Sequence, residues 1–585
     1  MSSRFRLLVP ALLLTGCSLP LPQGVRVPGR VAPEQARAQD IKVLPPGPRD
    51  GASPVEVVEG FLGAQSNPDD HHAIARSFLA PRDQGSWHDQ AQVDVYDPPS
   101  LSVTPSTGAA TPGNRDATVV VDATISGVIA PDGHYSAQVP APLSETYRLR
   151  REPRGQWQLV SVPPGLRLTS ADRDRSFRAR STYYIAPSYV KGSAPHLVPD
   201  QVLLPVDTDV ARALVDRLLR PVSAALAGTV TSAVPAGLTA SRVTTSTAGL
   251  VGVDLSAQAL TLSGSDRQAL SAQLVWTLRG LGAGFTGLRL TVRGRPFRVP
   301  GADEVQDNSS WQSWDPDGLA PGAPVYYVDG RRLRAQQGTL PSGPATAGRP
   351  GEGQAVAVDA VAVTPDRARL AVLSRSPAGR HNLVRTGAVT AGTFSQVTPS
   401  GRYTSPSWGS GELGLWLLRG DQELVLLPPA SRGAVQTVPL HATLPGPLTA
   451  MSVSRDGARI ALVAGARLFL GRVDSGPAGV YVLGLTEVAP SLRGVSDVSW
   501  ETSTSLVVLG LVQGTFLPTR LAVDGSSTQP LDGPGLPTGA RPISVAASPD
   551  GVVVAVETAA GAHLYRAVGR GFTPLATGSA PAYPG

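Results

Sequence analysis

A repeated unit of strand, polar turn and returning strand fills the sequence from about residue 320 onward, and no other feature limits the possible fold as strongly. In each unit a strongly β-forming strand returns from the turn, and two weaker strands follow it. Four strands per roughly 40–50 residues is typical of a β-propeller blade. We therefore predict an all-β propeller of five or six blades over residues 320–585, with Val325–Gly330 contributing to a sixth blade. Equivalent turn positions, at steps of 43, 47, 45 and 49 residues, are held by Thr364, Ser407, Ser454, Ser499 and Ser548.

Two Asp-Gly pairs, Asp456-Gly457 and Asp550-Gly551, lie in the turns of this repeat. Aspartates in loops can bind calcium, but Asp-Gly is also the pair that tight hairpins require. Neither pair is surrounded by the series of oxygen ligands that an EF-hand provides. We interpret both pairs as turns.

A secretory signal peptide is predicted at residues 1–16. A short basic stretch with Arg4 and Arg6 precedes the apolar run Leu7–Leu14, and small residues follow. This order is that of a signal peptide, and the apolar run is shorter than the roughly 20 residues that span a bilayer. No later segment is apolar enough to cross a membrane, so we expect the rest of the chain to lie on one side of it.

Cys17 is the only cysteine in the 585 residues, and it follows the small residues directly. The alternative is an ordinary signal peptide that happens to contain a cysteine, but an exported chain with one cysteine at this place has no thiol left for disulfides. Leu14–Cys17 resembles the bacterial lipobox. The resemblance implies cleavage between Gly16 and Cys17, S-diacylglycerol on the Cys17 thiol and an N-acyl group on its new amino terminus. Two or more acyl chains give stable membrane anchoring.

Residues 17–52 are rich in Pro, Gly and Arg, and we interpret them as a disordered tether. The whole chain has a net charge of +6, and of its 51 basic residues only Lys42 and Lys191 are lysines. A basic balance suits a surface near anionic lipid or wall polymers. Arginines are nowhere densely interleaved with aromatics, so nucleic acid is not an expected partner.

Residues 53–170 are predicted to form an α+β domain. Ser53 caps a first helix that begins at Pro54, and a second helix is predicted over residues 70–80. Strands then follow, of which Ala117–Ile125 is the clearest. Helices followed by a strand-rich run ending in Gly155–Leu159 resemble the NTF2-like cone.

Residues 175–300 are predicted to form a second, α/β domain. Asp209–Arg220 is expected to be a helix capped by Thr208. A longer helix is expected over Ser265–Arg279, where Ser265 and Gln268 have capping-box spacing. Gly287–Val292 is the expected closing strand.

This second segment resembles the GerMN domain of spore-germination and sporulation proteins, through Ala233–Leu238, Val251–Ser256, Ala272–Leu278 and Leu288–Gly294. Asp254 and Ser256 invite a catalytic interpretation. They also end a predicted strand and begin a turn, which is the interpretation we favour. Trp276 is predicted to be a core residue rather than a platform for a ligand.

No motif for catalysis or cofactor binding is present in the sequence. There is no G-x-S-x-G elbow, no P-loop and no H-E-x-x-H pair. His71-His72 after Asp69-Asp70 is the one dense group of ligand-type residues, but neighbouring side chains on a helix point about 100° apart. We interpret the group as an exposed helix start, where the acidic residues favour the positive end of the dipole. We therefore predict no catalytic residues, no metal site and no cofactor.

The order of lipobox, tether, NTF2-like segment, GerMN-like segment and propeller resembles the LpqB family of actinobacterial lipoproteins. The most specific stretches are Pro54–Leu62, Asp69–Trp87 and the GerMN segments. The resemblance implies a non-enzymatic accessory protein on the extracytoplasmic face of the cell membrane. It also implies binding to the extracytoplasmic domain of a sensor histidine kinase, MtrB, in the MtrAB two-component pathway of cell-wall homeostasis and division. No binding residues carry over from the family.

A second hypothesis is a protein that binds cell-wall glycan or an enzyme that modifies the wall. Its distinguishing feature would be paired carboxylates that converge in the propeller channel or in the NTF2-like pocket.

Overall fold

The structure, a computed structural model, describes residues 44–106, 115–153, 155–186, 196–336, 357–375, 382–389, 394–410, 413–429, 434–476 and 479–585. Residues Leu44–Gly585 form one compact unit. The predicted signal peptide, Cys17 and most of the predicted tether lie outside the described residues. So do both lysines of the chain, Lys42 and Lys191.

The first domain is α+β, as predicted. Its sheet has the strand order β5-β4-β3-β1-β6, with β2 added beside β3, and β1 pairs parallel to β6. Apolar residues alternate along β3 and face the helices, so Phe61 of the first helix packs within a core that also holds Trp87 and Tyr147. In chain order the elements are α1 (Pro54–Ala64), α2 (Asp69–Arg76), β1 (Val93–Tyr96), β2 (Ser102–Pro105), β3 (Asp116–Ile129), β4 (Tyr135–Arg151), β5 (Trp157–Ser161), β6 (Leu166–Thr169) and α3 (Ser170–Ser176).

The start of α1 is as predicted, whereas α2 differs from the prediction. Ser53 and Glu56 form a complete capping box at α1. Within α2, Asp70, His71 and His72 have positive φ angles of 47°, 55° and 59°. The helix ends at Arg76 rather than at residue 80, because the chain then pairs with β5: the Ala80 N–H donates to the Leu159 carbonyl at 2.8 Å.

The second domain contains the hairpin β7–β8 and a mixed sheet of order β12-β11-β10-β9, with β13 beside β11. Its long helix α5 is buried from Ala269 to Leu278 without a break. Other elements therefore surround it on every side, including α4, β7 and β11. The elements are β7 (Phe177–Ile185), β8 (Leu197–Pro205), α4 (Val210–Leu218), β9 (Ala240–Thr245), β10 (Leu250–Leu255), α5 (Gly264–Leu278), β11 (Gly287–Val292), β12 (Arg295–Pro296) and β13 (Val305–Gln306).

Both helix caps predicted in this domain are one or two residues from the true ones. Asp209, not Thr208, caps α4 by accepting from the Arg212 N–H. Ser263, not Ser265, caps α5 by accepting from the Asp266 N–H at 3.2 Å. Local spacing alone does not distinguish neighbouring Ser, Thr and Asp residues as caps, because each type suits the position.

The C-terminal region is a β-propeller with six sheets among the described residues. The innermost strands β16, β20, β24, β28, β32 and β36 contact one another in this order, and β36 returns to β16. The blades are listed by strand: β14 (Val325–Asp329), β15 (Arg332–Gln336); β16 (Val358–Val363), β17 (Arg369–Arg375), β18 (Asn382–Ala388), β19 (Ser395–Gln396); β20 (Tyr403–Ser407), β21 (Leu415–Arg419), β22 (Glu423–Leu427), β23 (Gln436–Thr437); β24 (Leu448–Val453), β25 (Arg459–Ala464), β26 (Arg467–Gly476), β27 (Gly479–Glu487); β28 (Arg493–Thr502), β29 (Ser505–Val512), β30 (Thr515–Ala522), β31 (Thr528–Pro530); β32 (Arg541–Ser548), β33 (Gly551–Thr558), β34 (Gly561–Val568), β35 (Gly571–Thr577); and β36 (Ser579–Ala582).

The sixth blade is shared between the two ends of this region. β36 pairs antiparallel with β14, so that Val328 lies opposite Ser579 and Tyr326 opposite Ala582. The run Val325–Gly330 therefore does belong to a sixth blade, as the sequence suggested. Pairing a late strand with an early one closes the ring and leaves no open edge between the first and last blades.

Candidate functional site

Cys17 and Gly16, the residues predicted to carry the lipid and the cleavage site, lie outside the described residues and stay predictions. Among the described residues, no helix combines the length and the apolar character needed to cross a bilayer.

Two buried carboxylates meet inside the first domain. Asp94 on β1 and Glu145 on β4 both bond to the guanidinium of Arg167 on β6. Arg167 Nε lies 3.3 Å from Asp94 Oδ2 and 2.9 Å from Glu145 Oε2. The side chains of Arg167, Asp94 and Glu145 are 6%, 7% and 14% exposed, respectively. The network is therefore closed to bulk water.

Neighbouring polar groups complete this network. Gln92 Nε2 donates to Asp94 Oδ1 at 2.8 Å, and the Tyr147 hydroxyl donates to Glu145 at 3.4 Å. Both carboxylates thus share one guanidinium and accept further hydrogen bonds, which is how proteins make a buried charge tolerable. A wall-modifying enzyme needs paired carboxylates that face an open cleft, and this pair is instead bridged by a cation. Sequence analysis missed the network, although an aspartate inside the fully buried strand Val93–Tyr96 was a signal for it.

Asp254, the other carboxylate that sequence analysis weighed, ties three strands together. It accepts hydrogen bonds of 2.7 Å from the Ser241 hydroxyl on β9, the Thr291 hydroxyl on β11 and the Gly294 N–H. Bonds from Thr291, Ser241 and Gly294 lower the pKa of Asp254. The Ser256 hydroxyl accepts from the Thr239 N–H at 3.0 Å. Asp254 and Ser256 therefore act as strand-end residues, and Trp276, 3% exposed, lies in the core as predicted.

The histidine pair does not gather ligands around a metal. His72 packs edge-on against Trp87, with ring centroids 5.9 Å apart, and burial lowers its pKa. Arg76 lies over the same indole and pairs with Asp89 at 3.0 Å. Within the described ranges, no three His, Cys, Asp or Glu side chains are grouped as metal ligands. Asp70 and His71 are exposed at the helix start, as predicted, whereas Asp69 and His72 are partly buried.

A polar cluster joins the first and second domains. His134, in the β3–β4 turn, lies 3.1 Å from Asp200 on β8 and 2.9 Å from Asp132 in its own turn. Asp200 also accepts from the Ser223 hydroxyl at 2.8 Å and lies 3.6 Å from Arg217. A backbone bond from Leu203 N–H to the Gly133 carbonyl, 2.8 Å long, seals the same junction.

The ionisation of this cluster is set by its burial and by its paired charges. Burial disfavours the imidazolium, but hydrogen bonds and charges from Asp200 and Asp132 outweigh burial and raise the pKa of His134. Burial acts in the opposite sense on Asp200, where bonds from His134 and Ser223 hold the pKa below its usual value. The protonated histidine therefore lies between two carboxylates and favours contact between the domains.

One end of the propeller is packed against the second domain and the segment that follows it. Arg459 donates to the Ser503 carbonyl at 2.6 Å and to the Pro199 carbonyl of β8 at 3.5 Å. The Asp317 carboxylate accepts from the Ser503 N–H at 2.5 Å. Arg455 is buried and donates to main-chain carbonyls of three strands or segments, at Trp500, Ala547 and Pro584. We call this the covered end of the propeller.

The Asp-Gly pairs act as turns at the covered end. Asp456 accepts from the Ser454 hydroxyl and the Ala458 N–H, which fixes the turn between β24 and β25. Asp550 Oδ2 accepts from the Gly322 N–H at 2.8 Å, which joins the last full blade to the segment before β14.

The opposite end of the innermost strands carries a cavity of about 340 Å³. It is lined by propeller residues, from the β14–β15 turn with Arg331, the start of β16, the β33–β34 turn and the loop before β36. Asp329 and Asp359 contribute carboxylates to the lining, and each has one distant arginine neighbour, at 3.8 and 3.9 Å. We call this the open end.

Three family models match successive parts of the chain. Residues 47–174 match the N-terminal domain of lipoprotein LpqB, residues 181–297 match the sporulation and spore germination (Germane) domain, and residues 342–584 match the LpqB β-propeller domain. This chain belongs to the LpqB lipoprotein family. The GerMN domain and the propeller predicted from sequence are thereby confirmed.

Relatives in the LpqB family extend along nearly the full chain. Lipoprotein LpqB of Streptomyces coelicolor is 27% identical over 98% of this chain and 96% of its own length. The Thermobifida fusca protein is 27% identical, with 86% of each chain covered. The Cutibacterium acnes protein is 33% identical over 53% of this chain, and the matched part spans half of that relative.

Solved structures give weaker likenesses. TolB from Acinetobacter baumannii has 15% identity and a TM-score of 0.35, covering 55% of this chain and 86% of its own. The first GerMN domain of GerM from Bacillus subtilis has 20% identity and a TM-score of 0.19, covering 23% of this chain and 98% of its own.

Proposed function

We propose that this chain is a lipid-anchored, extracytoplasmic accessory protein that binds and modulates a sensor histidine kinase of the MtrAB type. The observation that carries the proposal is a difference between the buried ionisable residues of the first two domains and the exposed carboxylates of the propeller. Buried ionisable groups of the first two domains bond to one another or to the backbone, as at Arg167 and Asp200. The open end of the propeller, by contrast, offers a cavity with two carboxylates that are more than one-third exposed.

Such a molecule is suited to presenting a surface rather than to transforming a substrate. The relatives carry the name lipoprotein, which supports membrane association through lipid. Fold alone does not give a function, so the kinase partner rests on the family resemblance. The open end is the part of the propeller that we expect to face it.

A crosslinking experiment tests the partner. A photoreactive residue at Asp359, on the open end, is introduced into the full lipidated chain in native membranes. The same group at Arg367, which is exposed in the β16–β17 turn at the other end of the innermost strands, is the matched control. We expect capture of a sensor-kinase extracytoplasmic domain from Asp359 and not from Arg367. Repeated failure of both positions with folded, lipidated protein would contradict the proposal.

The anchor has its own test. Cys17→Ala removes the thiol that the acyl chain needs, so we expect the chain either to stay uncleaved or to be released from membranes. Cys17→Ser is the conservative comparison and should behave in the same way. Fractionation with detection of the precursor and mature forms measures this. A Cys17→Ala protein that is processed and still membrane-bound would place the anchor elsewhere.

A further inference from the structure

Several positively charged side chains gather at one edge of the second domain. The carboxyl ends of the parallel strands β10 and β11 lie at this edge, together with the start of β9. A 3-10 turn, Ala257–Thr261, follows β10, and the tight β11–β12 hairpin follows β11. We call Arg242, Leu260, Arg293, Arg295 and Arg298 the basic edge.

The four arginines of the basic edge are all exposed. Within the part of the chain that the structure describes, none of their side chains takes part in an ion pair or a hydrogen bond. Two acidic residues lie nearby, and their hydrogen-bond donors are neutral groups that do not cancel a carboxylate's charge: Asp254 accepts from Ser241, Thr291 and Gly294, and Asp266 accepts from the Ser263 hydroxyl at 2.6 Å. The four arginines outnumber these two carboxylates. The edge therefore carries a local excess of positive charge.

The backbone of the edge is held in place. Arg293 and Gly294 have φ angles of 51° and 75°, which suit a two-residue hairpin turn of the primed type. The Gly294 N–H bonds to Asp254, so the tip of the hairpin is tied to the sheet. Little ordering is then needed when the edge meets a partner.

An apolar residue projects from the same edge. Leu260 is 56% exposed, more than most large apolar side chains of the described residues. Arg267 donates to the Leu260 carbonyl at 3.3 Å and to the Arg298 carbonyl at 3.5 Å, and it lies 4.9 Å from the Phe297 ring. This arginine therefore fixes the turn that carries Leu260 beside the hairpin.

We infer that the basic edge docks on the surface of an anionic lipid bilayer. Arginines suit headgroup phosphates because the guanidinium matches their geometry, and each basic residue near such a surface contributes about a fivefold gain in binding. Leu260 projects from a rigid tip among these arginines, which is the combination that interfacial membrane binders use. An anionic soluble polymer would match the charge but would leave Leu260 exposed.

This inference adds an orientation to the membrane association of the family. An acyl anchor holds a protein near the bilayer but does not choose which side of it faces the lipid. Docking of the basic edge would turn the second domain toward the lipid. It does not depend on the kinase proposal, so each can fail without the other.

Labelling at a single cysteine tests the docking. Because Cys17 is the only cysteine and its thiol is consumed by lipidation, Leu260→Cys gives one labelling site in the lipidated full chain. The label is an environment-sensitive dye, and Leu511→Cys on the propeller is the matched control. Vesicles contain phosphatidylcholine with or without 30% phosphatidylglycerol, a composition on the order of that in anionic membranes.

We expect a blue shift and quenching by spin-labelled lipid at Leu260→Cys in the anionic vesicles only, and loss of both at high salt. Leu511→Cys should show neither. Equal signals at the two positions, equal signals in the two vesicle types, or no signal at Leu260→Cys would each overturn the inference. Binding of soluble polyphosphate with no quenching by lipid would also overturn it, in favour of a polymer site.

Charge reversal separates electrostatics from folding. Arg293→Glu, Arg295→Glu and Arg298→Glu together should abolish the quenching at Leu260→Cys while leaving thermal unfolding unchanged. The matched control reverses Arg332, Arg402 and Arg570, which are exposed on the propeller. Quenching that persists after reversal of the basic edge, or that is lost equally in the control, would contradict the inference.

Discussion

Arg167 determines what the carboxylates of the first domain can do. Its guanidinium reaches both Asp94 and Glu145, so neither side chain is free to accept or deliver a proton to a bound molecule. The three residues lie far apart in sequence, on β1, β4 and β6, and only the sheet brings them together. Local patterns therefore could not have predicted the contact, although the buried position of Asp94 could have been suspected.

Removing the positive charge of Arg167 should destabilise the first domain. Arg167→Met leaves two buried carboxylates unpaired, and we expect the free energy of unfolding of the first domain to fall by about 3–5 kcal/mol. Arg150→Met, which breaks the exposed pair with Asp116, should cost far less, because solvent screens that pair. Chemical denaturation followed by tryptophan fluorescence compares the two. Similar losses for both variants would show that the buried pair is not a stabilising contact.

His134 gives the junction between the first two domains a dependence on pH. Its pKa is raised in the folded state, so its contribution is complete below the unfolded value of 6.5 and is lost as the pH rises through the folded value. The pKa of Asp132 and that of Asp200 are both lowered, so their contributions are lost in acid, below about 3.8. The cluster is therefore most stabilising in mildly acidic solution.

His134→Gln tests this dependence. Glutamine keeps a hydrogen-bond donor but cannot carry charge, so the wild-type chain should be more stable than the variant by about 1–3 kcal/mol near pH 5.5. The difference should shrink as the pH is raised. Denaturation at several pH values measures it, with His563→Gln in the propeller as control. A difference that is constant across this range would contradict the assigned protonation.

At the scale of elements, sequence patterns predicted what each segment becomes better than where it begins. The cap at Ser53 and the strand Gly287–Val292 were found as predicted, and the predicted strand Ala117–Ile125 lies within the longer β3. The caps of α4 and α5 were wrong by one or two residues, because several neighbouring side chains can each cap a helix. The early end of α2 could not have been predicted locally, since it depends on pairing with β5.

The cap of α5 offers a matched pair of variants. Ser263→Ala removes the side chain that accepts from Asp266, so we expect the second domain to lose about 1 kcal/mol of stability. Ser265→Ala, two residues on, should cost only a few tenths of that amount, because Ser265 does not cap the helix. Thermal unfolding of the two variants decides between them. A larger loss of stability for Ser265→Ala than for Ser263→Ala would show that Ser265 caps the helix, as the spacing predicted.

At the scale of the whole molecule, the internal repeats predicted the propeller, and the order of segments predicted the family. Neither of these two patterns predicted how the domains pack against one another. The contacts of Arg459 with Pro199 and of His134 with Asp200 join residues that are distant in sequence, and nothing local marks them. The number of blades also required the structure, because the sixth blade is built from two separate pieces of chain.

The shared blade can be tested by crosslinking. Val328→Cys and Ser579→Cys lie directly opposite each other across β14 and β36, a spacing that suits a disulfide. In a chain carrying Cys17→Ser, the oxidised pair closes a long loop and should stabilise the propeller by about 5 kcal/mol. Val325→Cys with Ser579→Cys, which are not opposite, should not form the bond. A mass-spectrometric count of free thiols and the unfolding temperature report the result.

The proposed export of this chain, amino terminus first, would carry β14 across the membrane long before its partner β36. The edge of β14 would then stay unpaired until β36, the last strand, has crossed the membrane. During that interval the first two domains can already fold, while the propeller stays exposed to proteases and to other chains. On the proposed export route, the propeller can therefore close only after its final strand has crossed the membrane.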